Sequence, residues 1–470
     1  MQEKLPVAGS LHVKYRKAAI RMNHKDERLG TEPLGRLMFS LAVPSVAAQL
    51  INVLYNIVDR IYIGHIPEYG DVALTGVGVT FPILTMISAF SAFAGMGGAP
   101  LASIQLGKQN KQKAEQILGN SAGLLVLCAV ILTVFFSVFK TPIQYAFGAS
   151  DATITYARDY ITIYLIGTIF VQLALGLNAY ISGQGEAKIA MFSVLIGAVL
   201  NICLDPVFIF LFHLGVRGAA LATIISQAVS AAWVVRFLTS EKSVMRLTFK
   251  NMHLNGATIK MIAGLGISPF IMQSTESLVT ITLNTGLQKY GGDLYVGSMS
   301  ILMSIMQLIT IPVQGITQGI QPVISYNYGA GNIDRVKATL KRMILVCLSG
   351  TLVLAGVAIF SPEVYTGLFT NNKELLELTC KVMPVYFLGI SIFGIQCACQ
   401  TSFISLGQAK VSLFIALLRK IILLIPLAII LPKFMGVMGI YRAEPVADTI
   451  SVLTTSVVFV ITMKKVLRNK

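Results

Sequence analysis

APLASIQLGKQN, residues 99–110, returns 222 residues later as QPVISYNYGAGN, residues 321–332. Pro100 meets Pro322, Ser103 meets Ser325, Gly107 meets Gly329 and Asn110 meets Asn332. The same shift carries Tyr164 and Gly167 onto Tyr386 and Gly389, and Gly185-Glu-Ala-Lys188 onto Gly407-Gln-Ala-Lys410. Further on, LGVRGA (214–219) meets MGVMGI (435–440) at a shift of 221. One match could arise by chance. An offset that persists through four loops indicates a duplicated unit.

Composition says what the unit is made of. Of 470 residues, 55% are hydrophobic and 12% charged, too few charges to cover a soluble domain of this size. The apolar residues come in runs such as 122–139, 189–212 and 343–360, each of about 20 residues, the length that crosses a ~30 Å hydrocarbon core as helix. Strand-like alternation is absent, which argues against a transmembrane β-barrel. Twelve spans are expected, near 37–63, 72–102, 117–139, 155–182, 189–212, 216–238, 260–285, 295–321, 337–360, 378–404, 411–432 and 436–463. Six spans per repeat give both halves the same orientation. The expected fold is therefore an all-α integral membrane protein of 12 transmembrane helices, in two six-helix lobes related by a pseudo-two-fold axis along the membrane normal. Its parts are a basic amino-terminal segment (1–36), the first lobe (37–238), a linker (239–259), the second lobe (260–463) and a basic tail (464–470).

The net charge of +16 comes from Lys and Arg in short segments between apolar runs, without the aromatic interleaving of a nucleic-acid groove, so no nucleic-acid partner is expected. Lys108, Lys111, Lys113, Lys188, Lys242, Arg246, Lys250, Arg335, Lys337, Lys410 and Lys464 fall in one set of alternate loops and Glu68, Asp71, Asp151, Asp293 and Glu363 in the other. The positive-inside bias then puts both termini in the cytoplasm of a multi-pass plasma-membrane protein. The first 36 residues hold eight basic side chains and no apolar core, so they read as a cytoplasmic segment against anionic lipid and not as a signal peptide. The six cysteines lie mostly inside apolar runs and read as small core residues. No Walker A loop and no metal-ligand cluster is present, so neither ATP-driven transport nor enzyme activity is expected, and no cofactor.

Polar residues inside spans cost roughly 2.5–3.5 kcal/mol each when ionisable, so each asks for a reason. Gln49, Asn52, Asn56 and Asp59 share one face of span 1 through steps of 3, 4 and 3. Asn201 and Asp205, at i and i+4, share a face of span 5, and Thr223 lies in span 6. At about 1.5 Å rise per residue, Asp59, Asp205 and Thr223 fall in one layer roughly 8–12 Å below the outer surface. Two carboxylates with amide and hydroxyl oxygens at one level suit a proton or a hard cation, with Na⁺ at Asp59, Asn201 and Asp205 the metal option. The plainer alternative is that Asp59 pairs with Arg60 or caps a helix end. Repeat-related positions in the second half have lost these carboxylates: Asn284 stands where Asp59 does after its proline, and Asn201 and Asp205 align with the apolar run 421–431. The asymmetry favours a dedicated site in the first lobe.

The second lobe has its own polar features. Gln273, Glu276, Thr280 and Asn284 share a face of span 7, and Ser300, Ser304, Gln307, Gln314, Gln318 and Gln321 form a stripe along span 8. Together with Gln49, Asn52 and Asn56 they are candidates for a substrate cavity, with Glu276 also a candidate second coupling site. Interhelical hydrogen bonding is the equal alternative. Arg442, Glu444 and Asp448 with Arg419 and Lys420 are expected to form a buried ion-pair network.

Several of these segments, in order, resemble the multidrug and toxic compound extrusion (MATE) family, in particular its prokaryotic DinF-like members. They are YNIVDRIYIG (55–64) after Pro44, GQGEAK (183–188), NICLDPVFIF (201–210), GVRGAALAT (215–223), SPFIMQSTESL (268–278) and AEPVAD (443–448). The resemblance covers about residues 35–465. It implies a V-shaped pair of six-helix lobes that exports amphipathic, often cationic compounds in exchange for Na⁺ or H⁺. It matches the amino-lobe cation site to Asp59, Asn201, Asp205 and Thr223, and it makes Pro44 the hinge at which the first helix bends when Asp59 is neutralised. The expected function is antiport of amphipathic organic compounds by a monomer whose partners are those substrates and membrane lipids. A flippase for a lipid-linked or other amphiphilic metabolite is the alternative.

Overall fold

A chain segment in hydrocarbon has to satisfy every backbone N–H and C=O within itself, and the helix is the form that does so locally. The computed structural model describes residues 28–369 and 372–468, which among them form helices and connections but no strand. Twelve long spans follow one another. In the first lobe they are α1 (Leu34–Gly64), α2 (Gly70–Gly107), α3 (Lys111–Ala146), α4 (Ile154–Ile166 and Thr168–Gly183), α5 (Ala187–Leu211) and α6 (Val216–Thr239). In the second they are α7 (Gly256–Tyr290), α8 (Asp293–Ala330), α9 (Ile333–Phe360), α10 (Lys373–Ser405), α11 (Ala409–Met435) and α12 (Val437–Arg468). Ten are long and apolar enough to cross a bilayer singly, and the two parts of α4 together make an eleventh. Helix α7, with 35 residues, is the twelfth, its mean apolarity lowered by the polar face that begins at Gln273.

The helices outrun the apolar spans expected from sequence, because a helix continues into the headgroup region until a cap or turn stops it. Asn110 accepts a hydrogen bond from Lys113 N to start α3, and Asn255 accepts from Ala257 N and Thr258 N to start α7. Span 4, expected as one helix, bends by 60° at Gly167. The residues expected as a basic tail continue α12 to Arg468, and those at 34–36 already belong to α1. Most of the basic amino-terminal segment, residues 1–27, lies outside the described residues. The 239–259 linker is tied to the first lobe: Asn120 donates to Asn251 O at 3.3 Å and accepts from Asn255 N at 2.7 Å. On α3, Leu127, Val130, Val134 and Val138 form an exposed apolar stripe at helical spacing, suited to lipid.

Connections after α2, α4, α6, α8 and α10 gather at one end of the bundle and carry the basic loops; this is the basic end. The duplication is visible in the contacts made there. Ser103 Oγ donates to Gly183 O at 2.6 Å, and its repeat partner Ser325 Oγ donates to Ser405 O at 2.9 Å. Gly185 and Gly407 both take positive φ, at 86° and 71°, as do Gly215 and Gly436 at 54° and 60°, a conformation that glycine tolerates best. Helices α2 and α8 cross where each presents a glycine to the other's backbone. A Cβ on Gly107 would sit 2.0 Å from Tyr326 O, and one on Gly329 would sit 2.0 Å from Ile104 O. Ile104 and Tyr326 are themselves 222 apart, so the pseudo-two-fold axis passes between the two glycines. The same rule pairs Gly97 against Gly266 of α7, and Gly319 against Leu41 of α1. Both lobes thus meet through small residues in the basic half of the molecule.

Candidate functional site

Helix α1 packs lengthwise on α5, which faces the polar stripe of one toward the polar pair of the other. Asn201 and Asp205 are buried, with 2% and 0% of their surface exposed. The Asn201 amide donates to Asp205 Oδ1 at 3.2 Å and reaches Thr223 Oγ1 at 3.5 Å, so α5 and α6 are joined at this level. The Asp59 carboxyl stands beside Asp205 from the α1 side. Three buried oxygens, Asp59 Oδ1, Asn201 Oδ1 and Asp205 Oδ2, have no hydrogen-bond partner among the described residues. A buried acceptor left unpaired is costly, and three on neighbouring side chains suit a proton or a small hard cation. Asp59 is not spent on Arg60, whose guanidinium lies over the Phe81 ring at 4.2 Å from its centroid. Nor does it cap a helix: it sits five residues inside α1.

Next to this cluster lies a cavity of about 340 Å³. Asn201 and Thr223 belong to both. Gln49 and Asn52 line it from α1, and Gln273, Gln318 and Gln321 close it from the second lobe. Gln49 Nε2 donates to Gln318 Oε1 at 2.8 Å and ties the lobes together across its floor. Sequence reasoning missed Tyr55, Asn178, Ser193 and Gln227 in the wall, although each is a polar residue within an apolar span. It also missed Tyr160, which stands near Asp59 and Thr223. Among the described residues, none of the lining side chains is charged.

Other candidates are placed elsewhere. Asn56 donates to Asn52 O at 2.6 Å, and Gln307 and Gln314 are exposed; none of the three lines the cavity. Asn284 lies outside it too, with Oδ1 buried and unpartnered like its counterpart on Asp59. Glu276 also stays out of the cavity wall and forms an ion pair with Lys420. Of the expected ion-pair network, Arg419 binds Glu444 at 2.7 Å and Asp448 at 2.6 Å. Arg442 does not join: two residues from Glu444 it points to another face of α12, is exposed, and contacts Met435 Sδ. Pro44 is buried within an unbroken α1.

Comparison with known proteins agrees with the fold. The MatE family model matches residues 44–207 and 269–430, one segment in each lobe. Multidrug export protein MepA of Staphylococcus haemolyticus is 25% identical over 429 residues, covering 91% of this chain and 94% of that protein. A MATE crystal structure in the bent conformation superposes with a TM-score of 0.88 at 20% identity, covering 95% of this chain and 98% of the other. An outward-facing multidrug resistance MATE transporter of the MOP superfamily gives 0.87 at 20% identity, covering 94% and 98%. With the matched segments spanning more than half of its length, the chain belongs to the MatE family and is a multi-pass membrane transporter of the multidrug and toxic compound extrusion type.

Proposed function

We propose that this transporter exports amphipathic organic cations in exchange for Na⁺ or H⁺, with Asp59, Asn201, Asp205 and Thr223 as the coupling site. The observation that carries the reading is the sharing of Asn201 and Thr223 between the cluster of unpartnered oxygens and the cavity. A cation arriving at Asp59 and Asp205 removes negative charge beside the cavity and reorients the amide that lines it. Bound organic cation and coupling ion then weaken each other, which is the linkage that antiport needs. Amides, hydroxyls and apolar groups in the wall accommodate amphipathic cations; a lipid-linked phosphate would call for Lys or Arg there, and the wall has none among the described residues. The curated relative named as a multidrug exporter supports the same reading.

The lobes are packed together in the basic half, which the positive-inside bias assigns to the cytoplasm, so we read this state as outward-open. Release of the Gln49–Gln318 bond and of the glycine crossings, with bending of α1 near Pro44, would open the cavity to the other side. One chain supplies both lobes, so a monomer suffices. The test is transport by purified protein in liposomes loaded with a fluorescent organic cation, with Na⁺ and pH gradients imposed separately. Movement that follows one gradient names the ion, and movement that follows neither contradicts the antiport reading.

A further inference from the structure

Inside the second lobe, away from the cavity, Arg419 is held between two carboxylates. Its Nη2 donates to Glu444 Oε1 at 2.7 Å and its Nε to Asp448 Oδ1 at 2.6 Å, while the guanidinium stacks over Phe393 at 4.4 Å. Glu444 and Asp448, at i and i+4, share one face of α12, with side chains 4% and 0% exposed. Next to Arg419, Lys420 donates to Met272 O at 2.7 Å and pairs with Glu276 on α7. Both cations lie in a π-helical stretch of α11, Leu418–Leu424.

The duplication shows what this cluster replaces. At the offset of 221, Glu444 corresponds to Thr223 and Asp448 to Gln227; at 222, Arg419 corresponds to Gly197. Thr223, Gln227 and Gly197 all line the cavity of the first lobe. Where the first half keeps an open polar wall, the second half has filled the equivalent place with charge.

The charges do not balance. Glu276 is matched by Lys420, which leaves one guanidinium for two buried carboxylates. An ionised carboxylate without its own counter-charge is strongly disfavoured in such surroundings, and the group neutralises instead. Asp448 Oδ2 is buried and has no hydrogen-bond partner among the described residues. The Tyr386 hydroxyl, buried and likewise unpartnered, lies in the field of Glu444 and Asp448 from α10. On the same side of α12, Ser451 Oγ and Thr455 Oγ1 are buried without partners, and Gln396 Oε1 of α10 is a fifth such atom. The titratable groups around the two carboxylates are thus Arg419 and Lys420 of α11, Glu276 of α7, and Tyr386 and Cys397 of α10. A metal ion is excluded from the centre because the guanidinium occupies it.

We propose that the Arg419–Glu444–Asp448 triad binds one exchangeable proton, a protonation site in the lobe that lacks the first-lobe aspartates. Binding forms one O–H bond on a carboxylate oxygen, breaks no bond in the protein, and takes the five-residue cluster from a charge of −1 to zero. Glu276, at the edge of the cluster, has half of its side-chain surface exposed. The site goes beyond the coupling proposal and does not depend on it.

The test uses full-length purified protein and infrared difference spectra between acid and alkaline pH, which detect the carbonyl stretch of a buried protonated carboxyl. Work in an Asp59→Asn/Asp205→Asn background removes the first-lobe contribution. A titrating band that persists there, and is lost with either Glu444→Gln or Asp448→Asn, is the expected result. A spectrum unchanged by both substitutions overturns the proposal. Thermal melting gives a second reading. Each single substitution imitates the protonated triad and should melt with the parent, while the double Glu444→Gln/Asp448→Asn strands Arg419 and should melt well below it. If a single neutralisation is as disruptive as the double, both carboxylates are ionised and the proposal fails. Loss of gradient-driven transport in Asp59→Asn alone would bear on the first-lobe reading and leave this one untouched.

Discussion

Asp59, Asn201 and Asp205 owe their position to two helical spacings, i to i+4 on α5 and the 3, 4, 3 steps on α1, and those spacings were legible in the sequence. What was not legible is which oxygens stay free. That depends on Arg60 finding the Phe81 ring instead of its neighbouring carboxylate. Asp59→Asn should therefore abolish coupled efflux while leaving the melting temperature near wild type, since the residue's buried oxygen has no partner to lose. Efflux and melting measured on one preparation check both halves of that statement. Arg419→Met is the opposite case: it leaves two buried carboxylates without a counter-charge, and a loss of about 3–5 kcal/mol should appear as poor expression and early melting. Glu276 was read as a cavity residue because its partner Lys420 is 144 positions away, a pairing no local spacing shows. Arg442 could have been excluded beforehand, since a separation of two from Glu444 puts it on a different helix face.

Among the elements, span number and order follow from apolar run lengths, because hydrocarbon thickness fixes what a crossing helix must be. The 60° bend at Gly167 and the π-helical stretch of α11 do not, since both result from packing between helices far apart in sequence. Glycines separate cleanly by what surrounds them. Gly329→Ala places a methyl against Ile104 O, a backbone atom that cannot swing away, and should cost about 1–3 kcal/mol together with most of the transport. Gly350→Ala on α9 meets nothing within 4 Å and should be neutral, or stabilising by about 0.5–1 kcal/mol. Thermal melts of the two variants side by side check the contrast, and equal losses would mean that the α2–α8 crossing is not tight.

For the whole molecule, the repeat offset predicted two like-oriented lobes, and it reappears in paired hydrogen bonds, paired positive-φ glycines and the mutual glycine crossing. The offset alone did not reveal how the copies have diverged. One lobe keeps a cavity with a pair of aspartates, and the other buries an arginine between two acids at the matching place. If the lobes rock about the basic-end contacts, a short bismaleimide across Gln49→Cys and Gln318→Cys, in a background with the native cysteines replaced, should stop transport. Unimpaired transport by the cross-linked protein would show that the lobes need not separate there. The most direct test of the central claim is the affinity of the purified transporter for a fluorescent organic cation, titrated against Na⁺ and against pH, in wild type and Asp59→Asn. The account predicts that one ion weakens substrate binding in the wild type and that this antagonism disappears in Asp59→Asn. Antagonism of equal size in both proteins would contradict it and place the coupling site elsewhere.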